Sequence, residues 1–165
     1  VSNKGEALFT EAGGKLLTFM MDDREYGIQI LDTREVVKMM QPDPVPQTPD
    51  FMLGVINLRG NIIPVIDLRI RFGLKVGEVH GENCILVADL GGRKTGCLID
   101  SLVGVATIER AQFEEHPDMG ANIHTEFMSG IAKLKDRVII ILDMEQILKN
   151  EDLELLGQVT EQVTA

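Results

Sequence analysis

The stretch Phe51–Leu68, FMLGVINLRGNIIPVIDL, reads as two short apolar strands, 53–58 and 62–66, on either side of Arg59-Gly60-Asn61. Polar residues with a glycine between β-branched runs are what a hairpin reversal requires. The chain then writes this stretch a second time. Phe127–Met144, FMSGIAKLKDRVIIILDM, follows it at a constant shift of 76 residues. Identities fall at Phe51/Phe127, Met52/Met128, Gly54/Gly130, Leu58/Leu134, Ile63/Ile139 and Asp67/Asp143. These are 6 of 18 pairs, where ordinary residue usage gives about one by chance. Arg59/Lys135, Ile62/Val138 and Ile66/Leu142 exchange like for like. The segment is one copy of a duplicated unit.

Working outward, LLTFMMDDREYGIQI (16–30) matches ILVADLGGRKTGCLI (85–99) at a shift of 69, through Arg24/Arg93, Gly27/Gly96 and Ile30/Ile99, with Val36/Val105 beyond. The two shifts differ by 7, which places an insertion around 109–126, a stretch with Pro117, Gly120, His116 and His124 that reads as a longer loop. The chain therefore divides into related halves, about 16–80 and 81–150. Each opens with a hairpin, Leu16–Met21 to Tyr26–Leu31 over Asp22-Asp23-Arg24-Glu25, and its twin over Gly91-Gly92-Arg93-Lys94. Each closes with another, the second turning at Lys135-Asp136-Arg137. About five short strands per half predict an all-β protein with a small closed barrel in each half, because closure removes exposed strand edges. Pro42, Pro44, Pro46 and Pro49 mark an extended connector or sheet edge, since proline cannot donate to a ladder. Asp67 and Asp143 sit where a strand gives way to a more helical pattern, and Gln146 follows Asp143 at capping-box spacing. Leu153, Leu155, Leu156 and Val159 predict a short C-terminal helix over about 150–160.

Composition narrows the function. Net charge is −10, which argues against partners held through phosphates, whether nucleic acid or anionic lipid. Apolar runs are far shorter than the ~20 residues a membrane helix needs. Residues 1–15 hold no apolar signal core. Two cysteines, Cys84 and Cys97, lie inside apolar segments and read as buried free thiols in a reducing cytoplasm.

The search for chemistry finds no good constellation. Asp67 and Asp143 at equivalent places invite an aspartic-peptidase dyad, but they precede Leu68-Arg69 and Met144-Glu145, without the small residues such a dyad needs. Helix caps explain both. Asp100-Ser101-Leu102 fails the same test. His80, His116 and His124 lack zinc-ligand spacing, and no metal or cofactor is expected. Gly13-Gly14 and Gly91-Gly92 are not phosphate loops. An enzyme is not expected.

Tyr26–Leu31 with Arg34-Glu35-Val36, and above all Gly54–Arg69 (GVINLRGNIIPVIDLR), resemble the CheW-like domain family of bacterial chemotaxis. Gly96–Asp100 and Asp136–Leu148 fit that family's second half, so the resemblance spans about Leu16–Leu156. It implies two five-stranded SH3-like barrels packed with pseudo-two-fold symmetry. It also implies a non-enzymatic cytoplasmic adaptor, monomeric in isolation, without membrane insertion, associated with receptor arrays at the inner membrane. The partners implied are the cytoplasmic tip of chemoreceptors and the regulatory domain of the histidine kinase CheA. Glu35 and Arg59 match recurrent charged positions on the receptor side, and an ion pair between them is expected. Thr33, Val37, Asn57, Leu58 and Gly60 flank that pair on the same expected surface. Pro42, Val45 and Pro46 match a stretch that lies towards the kinase, although so many prolines depart from simpler members. The rival readings are a small-molecule or peptide-binding barrel and an interaction domain of a related system controlling pili or development.

Overall fold

A computed structural model describes residues 8–10, 13–74, 83–90, 92–115, 127–148, 152 and 154–159. The expectations for His80, His116, His124 and Leu153, and most of the expected 109–126 loop, fall outside these residues.

The duplicated hairpins are all present. β1 (Lys15–Met21) and β2 (Arg24–Gln29) reverse over Asp22-Asp23 alone, with φ 51° and 61°. β4 (Met52–Leu58) and β5 (Asn61–Asp67) reverse over Arg59-Gly60, with φ 53° and 87°. Two left-handed residues make the turn whose twist matches that of paired strands. The turns are therefore shorter than the sequence suggests, and Arg24, Glu25 and Asn61 belong to strands. β6 (Cys84–Leu90) and β7 (Arg93–Ile99) are the twin of the first hairpin. β10 (Met128–Lys133) and β11 (Val138–Leu142) are the twin of the second, around a wider loop in which the Leu134 amide donates to Arg137 O at 2.8 Å. β3 (Thr33–Lys38), β8 (Ser101–Thr107) and the short β9 (Phe113–Glu114) complete the strands among the described residues.

Two sheets result, in the orders β8-β1-β2-β11-β10-β9 and β3-β6-β7-β5-β4. Replacing each strand by its repeat twin turns the first order into the second, with β9 left over. The agreement extends to register. Gly27 faces Ile141 where Gly96 faces Val65, and the bulge at Met52/Gly54 recurs at Met128/Gly130. Even β9 has a partial counterpart, since Asp43 bridges Val55 where Glu114 faces Ile131, the twin of Val55. The sheets do not follow the halves of the sequence, however. Each half lends its opening hairpin to the sheet built by the other. Only the 3-10 turn Ile30–Asp32 separates β2 from β3, and only Asp100 separates β7 from β8. Across each of these short links the chain passes directly to the other sheet.

Alternating side chains explain three cores. Leu16, Ala106, Ala132, Ile139 and Ile141 fill the inside of the six-stranded sheet, drawing on β8 at one end and β10 near the other. Ile56, Ile63, Val65, Ile85 and Val87, with Val37 from β3 and Leu58 from β4, fill the five-stranded one. Because opposite ends of a sheet share one core, each sheet is rolled into a barrel of SH3 type. The alternate faces, including Phe19, Ile28, Ile66, Leu86 and Ile99, meet in a larger core between the barrels.

The helical parts are small. α1 (Leu68–Arg71) follows β5, and the Asp67 carboxylate caps it, accepting from the Arg69 amide at 2.9 Å. Asp143 accepts from the Glu145 amide at 3.1 Å, but residues 144–146 form a turn and not a helix. Residues 154–159 are helical, as the leucine spacing predicts, and bury Leu156 and Val159 in the central core. Among the described residues no helix is long and apolar enough to cross a membrane.

Candidate functional site: two unlike faces of a duplicated barrel

β3 and β4 are the end strands of the five-stranded sheet, and rolling brings them towards each other. The β4–β5 turn then reaches β3. Arg59 stands in the left-handed conformation at the tip of that turn, which the Asn57 side chain braces by accepting from the Gly60 amide at 2.8 Å. From there its guanidinium donates to the Glu35 carboxylate, so residues 24 apart in sequence close the seam of the barrel. The expected ion pair is present. Its side chains are 69% and 30% exposed, and a pair so open to water contributes only about 0–1 kcal/mol. What it does is hold a planar cation and a carboxylate at fixed positions on the surface.

A second ion pair lies beside it. Arg34, the extra residue of a bulge between β3 and β6, donates to Asp89. Asp32, one step before β3, has its carboxyl pushed above the usual range, first by burial and then by Asp89, Glu145 and Asp143, with Arg34 opposing. The other residues assigned to this surface divide by direction. Asn57 and Gly60 are exposed, and Thr33 is half-buried with its hydroxyl out of contact with any hydrogen-bond partner. Val37 and Leu58 pack on the barrel core, so they support the face from within.

In the proline connector, Asp43 runs beside β4, exchanging hydrogen bonds with Val55 at 2.8 and 3.0 Å. Pro42 is buried, Val45 leans on the central core, and Pro46 is exposed, as are Asp43 and Pro44 beside it.

The repeat exposes what residue-by-residue reading missed. The twin of β3 is β8, where Arg34 becomes Val103 and Glu35 becomes Gly104. Leu102, Val103 and Val105 stand exposed there, Val105 by 60%. End strands are more often guarded by charged side chains, as β3 is. The signal was in the sequence: SLVGVAT holds no charge, whereas its twin DTREVVK holds four. The duplication has therefore produced one charged face and one apolar face in equivalent positions. No group of three metal-binding side chains occurs among the described residues.

The CheW-like domain model matches residues 15–152. The chemotaxis protein CheW of Klebsiella aerogenes is 34% identical over 148 residues, covering 89% of each chain. That of Helicobacter pylori is 36% identical over 137 residues, covering 83% of this chain and 82% of its own. The crystal structure of the scaffolding protein TtCheW from Thermoanaerobacter tengcongensis superposes with a TM-score of 0.76 at 36% identity, over 84% of this chain and 90% of that one. With the matched barrels, the twin registers and this sequence similarity together, the chain belongs to the CheW-like domain family.

Proposed function

We propose that this chain is a non-enzymatic adaptor that couples the cytoplasmic tip of chemoreceptors to the histidine kinase CheA. It would work in the cytoplasm at receptor arrays and be monomeric when isolated. The observation that carries this reading is the family match over residues 15–152. Holding two partners on separate surfaces raises the effective concentration of each at the other.

On this reading the receptor meets the face of Thr33, Glu35, Asn57, Arg59 and Gly60, shaped from beneath by Val37 and Leu58. Pro46 presents the kinase-facing connector, and the anchored Pro42 and Val45 set its course. Immobilised chain should retain a receptor tip and the CheA regulatory domain together, and should restore receptor control to purified CheA. Retention of neither, or kinase activity indifferent to the chain, overturns the proposal.

A further inference from the structure

We propose that Arg69 and Asp100 are positioning residues that lock the two barrels at one angle, and that the lock lets both partners be held at once. The second clause rests on the coupling role above. The first stands on geometry alone.

Arg69 lies on α1 with 2% of its surface exposed. Nε and Nη2 donate to the two Asp67 oxygens at 3.0 and 2.8 Å, a two-pronged contact within one barrel. Nη1 donates to Asp100 Oδ1 at 2.9 Å, and here the link leaves that barrel. Asp100 is the single residue by which the chain passes from β7 to β8, that is, from the five-stranded sheet to the six-stranded one. Its Oδ2 accepts from the Asp22 amide at 2.9 Å, in the β1–β2 turn of the six-stranded sheet, and its own amide donates to Met20 O at 3.1 Å. Asn83 steadies the crossing by donating to Ile99 O at 3.1 Å and Asp100 O at 3.3 Å. One carboxylate thus takes a guanidinium from one barrel and a turn amide from the other. Such charge-assisted bonds are directional, whereas the apolar core between the barrels is not. The core holds the barrels together and the lock sets their angle.

The repeat does not write the Arg69–Asp100 pair a second time. The twins of Asp67, Arg69 and Asp100 are Asp143, Glu145 and Leu31. At the other crossing, Ile30–Asp32, no guanidinium stands in the place of Arg69, and Leu31 is 52% exposed. Among the described residues the repeat supplies no second Arg–Asp tie of this kind, and Arg71, whose Nε donates to Ile147 O at 2.8 Å, is a further polar link between the barrels.

Asp100→Asn keeps the size of the side chain, but one oxygen and an NH2 cannot accept from both Arg69 and Asp22. Arg69→Lys keeps the charge and loses the fork. Asp22→Gly is the control, since Asp22 contributes only its amide. Residual dipolar couplings of backbone amides report the relative orientation of the barrels without any partner. One alignment tensor should fit both barrels in the wild type and in Asp22→Gly. In whichever of the other two variants folds, each barrel should keep its own structure while the two tensors diverge. A single tensor in a folded Asp100→Asn or Arg69→Lys variant, failure of both to fold, or equal divergence in Asp22→Gly overturns the lock. In the loosened variant, single-partner binding should stay near wild type while joint retention of receptor tip and kinase domain falls about ten-fold. Unchanged joint retention overturns the functional clause. If the wild type binds neither partner, the coupling role fails while the tensor result still decides the lock.

Discussion

At the scale of single residues, exposure separates groups that hold the fold from groups that serve a surface. Arg59 and Glu35 belong to the second kind. Arg59→Ala and Glu35→Ala should each change unfolding free energy by no more than about 1 kcal/mol, yet each should abolish receptor control of CheA in reconstituted assays. Full coupling in either variant removes the role assigned to the pair. Cys97 is the opposite case. It is buried, and burial pushes its thiol up to about 12, while Cys84 is half-buried with a smaller rise. Since the thiolate is the reactive form, a maleimide at pH 7 should label Cys84 slowly and Cys97 only after denaturation, as mass spectrometry of the labelled peptides would show. Asp32 carries a pH dependence. Its carboxyl titrates higher in the folded chain than in the unfolded one, so the folded state disfavours its charge. The penalty is absent below the ordinary aspartate range, grows as pH rises through the unfolded and then the folded pKa, and is complete at neutrality. Asp32→Asn should therefore raise the melting temperature at pH 7 and leave it unchanged at pH 3.

At the scale of elements, the twin bulges show what the repeated glycines do. Gly54 has φ near 142°, and a Cβ there would lie 2.1 Å from Asp43 O in the connector that hydrogen-bonds beside it. In the twin, a Cβ on Gly130 would meet Glu114 O at 2.6 Å and the Phe113 ring at 2.7 Å. Both glycines let a further segment lie against the bulged strand. Gly54→Ala should destabilise the chain by well over 1 kcal/mol in urea titrations, since both the backbone angle and the neighbouring carbonyl oppose the methyl group. A loss of only a few tenths would mean that the connector is loosely held. The hairpins were legible in the sequence because their turns carry local chemistry. The helix expected after Asp143 was not so secure. The same aspartate signal that starts α1 after Asp67 starts only a turn there, since capping supplies a beginning and the following side chains must supply the packing.

At the scale of the molecule, the exchange of opening hairpins makes the barrels mutually dependent. β1 and β2 lie among β8, β11 and β10, while β6 and β7 lie between β3 and β5. Fragments 16–80 and 81–150 should each be unfolded alone, because each lacks the two strands that fill the middle of its sheet. Mixed, they should recover native-like dispersion in their amide spectra. A folded single fragment would show that the hairpin can return to its own half. The aromatic line Phe19, Tyr26, Phe72 and Phe127 runs through the shared core, with ring centroids 4.9 to 6.4 Å apart. Arg71 lies over the twin pair Phe51 and Phe127, at 5.6 and 4.8 Å. One helix of one half is thus packed against equivalent residues of both.

The sequence by itself determined the duplication, the hairpins, the all-β class and the family. All are written in local patterns: alternation along strands, turn residues between them, and pairs of segments that can be aligned without coordinates. It also carried the Glu35–Arg59 pair, through residues that match a family motif. Only the tertiary structure decided which hairpin joins which sheet, which crossing is tied by Asp100, and that the aliphatic side chains Leu102, Val103 and Val105 of β8 face outward. Strand partners far apart in the chain are chosen by the burial they achieve together, a quantity that belongs to no single stretch of residues.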